Sequence, residues 1–145
     1  SQKGGVGMNI QQRKAIVRIK NTKVDYYLDA DGLEMPLSND YTSRVLIASG
    51  DVNSLHHNSI IKFVEIINKS NFWKSQIIQL HFDNDEVVVV PRVGYHKIHF
   101  GYLDNVKEKL ENLYSFYTQA MPDKGWGTYS ELSLKFKNQI VCTKK

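Results

Sequence analysis

Leu132, Leu134 and Phe136 alternate with Ser133, Lys135 and Lys137, and no other stretch of this 145-residue chain limits its fold as tightly. Alternation of period two puts one face of a segment in a core and the other in water, the signature of a half-buried strand. Lys137-Asn138-Gln139 interrupts the pattern and Ile140-Val141-Cys142 resumes it, which predicts a β-hairpin. A last strand that finishes a sheet is expected at its edge, with a row of N–H and C=O groups turned outward. Such an edge is either a hazard or a docking rail for a partner strand. The rail is the expectation here.

Length fits one domain. A hydrophobic content of 41% with 11% aromatics is enough for a sizeable core. The single cysteine, Cys142, leaves no internal disulfide framework and no thiolate metal cluster. No apolar run approaches the ~18 residues of a membrane span, and no secretory leader is visible. Residues 1–8 read as a flexible lead-in or an expression remnant, and 9–145 as the domain, a soluble piece of something longer. The net charge of +4 is scattered among acids, with no basic run longer than pairs such as Arg13-Lys14 and Lys144-Lys145. That distribution reads as a mixed, solvated surface rather than a nucleic-acid stripe.

Ala15, Val17 and Ile19 alternate with Lys14, Arg18 and Lys20, predicting a strand over 12–20 with one wet face. Tyr26-Tyr27-Leu28 and Leu33-Glu34-Met35 flank Asp29-Ala30-Asp31-Gly32, a hairpin turn by its Asp and Gly chemistry, and Pro36 ends the returning strand. The run Val45–Ala48, stopped by Gly50, reads as a strand buried on both faces. Asn58 or Ser59 is the expected cap of a helix whose Ile60, Phe63, Val64 and Ile67 share one stripe. Phe72-Trp73 follows as an apolar anchor. Strands are predicted over 76–82 and 87–92, joined at Asp83-Asn84-Asp85-Glu86, with a short one over 97–100. Asp104 is the expected cap of a second helix bearing Val106, Leu110, Leu113, Tyr117 and Ala120, closed by Pro122 and Gly125. The order predicts an α+β domain: a mainly antiparallel, curved mixed sheet, two principal helices on one face, and a C-terminal β-hairpin.

Chemistry-bearing patterns are sparse. His96 and His99 stand three apart on a strand and so point to opposite faces, away from a common ion. His56-His57 precede a helix with no carboxylate at helical spacing. Asp29-Ala-Asp31-Gly32 carries its glycine too early for a calcium loop. There is no nucleophile elbow, and Gly4-Gly-Val-Gly7 lacks the lysine and hydroxyl of a phosphate loop. Trp73, Trp126 and the eight tyrosines allow an alternative, a basic aromatic module that stacks on peptidoglycan or nucleic acid. No residue demands an enzyme, a metal or a cofactor.

Several segments taken in order resemble the extracytoplasmic β-domain of the FtsQ/DivIB cell-division family in its Bacteroidetes-type form. They are Ile10–Ile19, Tyr27–Ser38, Tyr41–Leu46, Phe72-Trp73, Pro91–Gly94, Ile98–Gly101 and Lys135–Thr143, spanning roughly Asn9 to Thr143. The resemblance implies a non-catalytic scaffold of the divisome on the periplasmic side of the inner membrane, at the septum. In the family one membrane helix and a POTRA domain precede the β-domain, and both are expected to lie outside this chain. The implied partners are FtsB-like and FtsL-like proteins, with FtsB adding a strand to the last strand of the β-domain to help regulate septal peptidoglycan synthesis. The family's Leu-basic-aromatic signature falls on Leu134, Lys135 and Phe136, and the turn and edge strand on Asn138, Gln139, Ile140, Val141 and Cys142. Phe136 stands where many relatives carry tyrosine, and Gln139 where a turn glycine is usual.

Overall fold

The computed structural model describes residues 14–36, 45–92, 96–120, 122, 125, 128–136 and 139–144. Among these, nine strands make one open mixed sheet: β1 (Ala15–Lys20), β2 (Asp25–Asp29), β3 (Glu34–Met35), β4 (Leu46–Gly50), β5 (Ile77–Asp83), β6 (Glu86–Pro91), β7 (Lys97–Gly101), β8 (Tyr129–Phe136) and β9 (Gln139–Lys144). Three helices accompany them, α1 (His57–Asn68), α2 (Asn71–Gln76) and α3 (Val106–Gln119). Across the sheet the order is β3-β2-β1-β4-β5-β6-β7-β8-β9, so the hairpin expected at the C-terminal end forms and β9 is an edge. The β1–β4, β4–β5 and β7–β8 pairs are parallel and the rest antiparallel.

Strand alternation decides which side is covered. Val17 and Ile19, Leu80 and Phe82, Val87 and Val89, Ile98 and Phe100, and Leu132 and Leu134 are buried, and they join one core with Ile60, Phe63, Val64 and Ile67 of α1 and Leu110, Leu113 and Tyr117 of α3. Both predicted helical stripes therefore face the sheet. The opposite face carries Arg18, Gln79, His81, His99 and Ser133, none of them buried, but at the β1–β3 end a second, small cluster of Ala15, Tyr27 and Met35 is buried, with Tyr27 opposite Arg18. One-sided cover also corrects the expectation for 45–48: Leu46 and Ala48 are buried, but Ile47 points to the open face and is only half-buried.

Both helix starts differ from expectation. The chain enters α1 through a 3-10 turn, Ser54–His56, so the capping work moves upstream to Asn53 rather than Asn58 or Ser59. The Leu55 N–H donates to Asn53 Oδ1 (2.9 Å), and the Asn53 N–H donates to His56 Nδ1 (3.2 Å). Asn53→Ala is expected to lower stability by about 1 kcal/mol, measured by urea unfolding, whereas Asn58→Ala should leave the midpoint nearly unmoved. At α3 the cap residue is Asn105, in the left-handed region (φ 47°), rather than Asp104, whose carboxylate accepts from Lys109 Nζ at 2.9 Å. The Phe72-Trp73 anchor lies in a helix of its own, α2, whose Trp73 N–H donates to Ser70 Oγ (3.2 Å).

The turn at 29–32 forms as read. Asp29 Oδ1 accepts from the N–H groups of Asp31 and Leu33, both at 2.9 Å, so this carboxylate organises its own backbone.

Candidate docking edge

Six of the predicted site residues lie on β8 and β9, and the pairing between these strands sets where each side chain points. Leu132 stands opposite Cys142 and Ser133 opposite Val141, after which the register shifts so that Phe136 stands opposite Gln139. Ile140 and Cys142 consequently lean on the core, while Val141 projects from the open face and is 41% exposed. Burial pushes the Cys142 thiol up, away from the reactive thiolate. Gln139 is exposed. Asn138 lies outside the described residues.

Phe136 departs from its alternation. The pattern that buries Leu132 and Leu134 would place it inward too, yet it is 54% exposed because the register slips before it, at the hairpin end. Its ring borders a recess of about 410 Å³, shared with Tyr102, Glu108, Asn112 and Leu134. Tyr102 is also an exposed aromatic. An apolar ring left in water beside an open strand edge is the kind of feature that marks a contact surface.

Lys135 is not a free cation. Its Nζ lies 2.6 Å from Glu86 Oε1, and that hydrogen bond, with the attraction of the carboxylate, raises its pKa. The side chain crosses the end of β7 at Gly101, whose φ is +80° and where an added Cβ would stand 3.2 Å from Lys135 Cγ. Gly101 thus supplies both the left-handed backbone and the space for the Lys135–Glu86 bridge. Sequence reasoning missed Gly101, Tyr102 and Glu86, since only the β6–β7–β8 pairing brings them beside Lys135.

The histidines are held by tertiary partners. His56 Nδ1 accepts from Asn53, which leaves the proton on Nε2 facing Asp85 Oδ1 at 2.8 Å, and its ring stacks on Phe82 at 4.3 Å. His57 Nε2 meets Tyr26 Oη at 2.7 Å, and burial lowers its pKa. His96 Nε2 lies 2.7 Å from Tyr117 Oη under α3, whereas His99 Nε2 lies 2.6 Å from Glu131 on the other face. Their opposed directions match the strand-spacing argument. Among the described residues no three His, Cys, Asp or Glu side chains converge as a metal site.

Part of the aromatic set is taken up in packing. Trp73 and Tyr117 are buried, and Phe72 and Tyr114 close over them with ring centroids 5.2 Å apart, joining α2 to α3. Trp126 is outside the described residues. Like Lys135, two further basic side chains are held by acids: Arg18 pairs with Asp25 (2.7 Å) and Lys109 with Asp104 (2.9 Å). Among the described residues no helix is long and apolar enough to cross a membrane.

Compared with known families, the chain matches the model described as FtsQ/DivIB, C-terminal related, over residues 14–143. No curated protein matches it.

Proposed function

Because the chain belongs to the FtsQ/DivIB C-terminal-related family, whose members are non-catalytic divisome scaffolds, we propose that it docks a partner strand on β9. The partner is an FtsB-like protein, with an FtsL-like protein in the same complex, and docking helps regulate septal peptidoglycan synthesis. The domain works on the periplasmic side of the inner membrane, at the division septum. The single observation that carries the reading is that β9 ends the sheet order and carries no charge before its last residue, Lys144. Strand addition takes its affinity from main-chain hydrogen bonds and its selectivity from pockets beside the edge. Here those are the recess at Phe136 and the cation of Lys135, for which a partner carboxylate competes with Glu86.

Calorimetric titration with the periplasmic segment of the FtsB-like protein of the same organism tests this. Saturable one-to-one binding is expected, and Val141→Pro, which removes a backbone donor from the rail, should abolish it. Binding unchanged by that proline would overturn strand addition. Phe136→Ala is expected to weaken binding by about 1–2 kcal/mol while the unfolding midpoint stays put, since the ring is mostly in water. An unfolded Phe136→Ala domain would make the ring a structural element instead. Charge reversal at Lys135 should act in the same direction as Phe136→Ala.

A further inference from the structure

The two edges of this sheet are treated very differently. At one end β3 is two residues long, carries Glu34 and is followed by Pro36. Shortness, charge and proline are the usual devices that stop an edge from pairing with another chain. At the other end β9 has six residues, and Gln139-Ile140-Val141-Cys142-Thr143 contains no charge and no proline, the one charge of the strand being its last residue, Lys144. Its β-branched Ile, Val and Thr favour an extended conformation. Left alone in water, such an edge is a template for further pairing.

The segment is also chemically symmetric about its middle. If two copies run antiparallel with Val141 opposite Val141, then Ile140 faces Cys142 of the second copy, and Gln139 faces Thr143. Residues directly opposite share a face. Ile140 and Cys142 both lean on the core side, so their pairs extend the apolar layer of each copy. Val141 and its twin meet on the open face, flanked by Ser133 of each neighbouring β8, and Gln139 with Thr143 adds a hydrogen-bonding polar pair. Between Gln139 and Thr143 no charged residues meet in this register.

We propose that, without a partner strand, β9 pairs with β9 of a second copy of this chain about a two-fold axis at Val141, forming one continuous sheet across the dimer. An isologous interface of this kind closes on itself, so association stops at two. It is small against the ~1,200–2,000 Å² of a stable specific interface, so the dimer should be weak, on the order of micromolar to millimolar. Self-pairing and partner docking then exclude one another, a consequence that rests on the strand-addition reading above; the self-pairing does not.

Sedimentation equilibrium of the chain alone, over a concentration series reaching about 1 mM, tests the proposal without any partner. The apparent mass should rise toward that of a dimer. Val141→Lys and Val141→Glu, each placing like charges at the axis, should remain monomeric, with the dissociation constant raised at least about tenfold. An equimolar mixture of the two should associate again, which also shows that both are folded. If either variant loses its far-ultraviolet strand signal, Gln139→Glu mixed with Thr143→Lys replaces them, and that mixture should associate more tightly than wild type. A wild-type chain that stays monomeric throughout, or a Val141→Lys chain that dimerises like wild type, overturns the proposal. Failure of the mixtures to associate overturns the register. None of these outcomes touches partner binding, which the calorimetric titration reads separately.

Discussion

Gly50→Ala is expected to lower the stability of the domain by about 3–4 kcal/mol, near the upper end of what a single methyl group does. Gly50 closes β4 with φ +76°, a conformation that costs an L side chain about 1–2 kcal/mol. The larger obstacle is contact: a Cβ there would lie 2.2 Å from the Phe82 carbonyl oxygen and 2.9 Å from the His81 ring. The ring could turn aside, but the carbonyl is fixed, because Phe82 O accepts from the Asp51 N–H at 2.9 Å and its residue pairs with Gly50 across the β4–β5 ladder. Relief therefore requires the two strands to separate. Those strands join β1–β3 to β5–β9, so the damage would spread through the sheet. Denaturant unfolding reads the effect, and a loss below about 1 kcal/mol would show that the turn relaxes more cheaply than this geometry allows.

Phe63→Ala is expected to lower stability by about 3–5 kcal/mol, through lost burial and the cavity left behind. Phe63 is fully buried and meets Phe100 edge to face, with centroids 5.7 Å apart at 88°. That contact pins α1 to β7, the strand beside β8. The core around it is closed by rigid strands and by Leu113 of α3, so little collapse into the space is open. Differential scanning calorimetry should show a lowered midpoint with a cooperative transition. At temperatures where Phe63→Ala stays folded, partner affinity should equal that of wild type, because the ring lies away from the edge. A loss of stability below about 1.5 kcal/mol would mean the core repacks around the gap.

Much of the fold was legible because it follows from local periodicity. The α1 and α3 stripes, the alternation of β1 and β8, the Asp29 turn and the C-terminal hairpin are each written in neighbouring residues, and each formed. Misreadings arose where another element intervened. A run of Leu, Ile and Ala looks buried on both faces, yet Ile47 meets the face away from α1 and α3. Asn58 looks like a cap, but the 3-10 turn begins the helical path five residues earlier, at Asn53. Asp104 looks like a cap until Lys109 takes its carboxylate. Phe136 follows the buried period, and only the shifted β8–β9 register leaves it in water.

The sequence by itself determined which segments pair locally, which side chains seek a core, and, through its resemblance to a division family, which end of the chain to watch. Period and turn chemistry act over a few residues, so they survive in one dimension. Only the tertiary structure decided that β9 is an edge while β8 is not, that Lys135 is already held by Glu86, and that Gly101 makes room for that bridge. Those facts depend on strand order, which is settled by how the whole chain buries its apolar faces, and no local pattern carries that information.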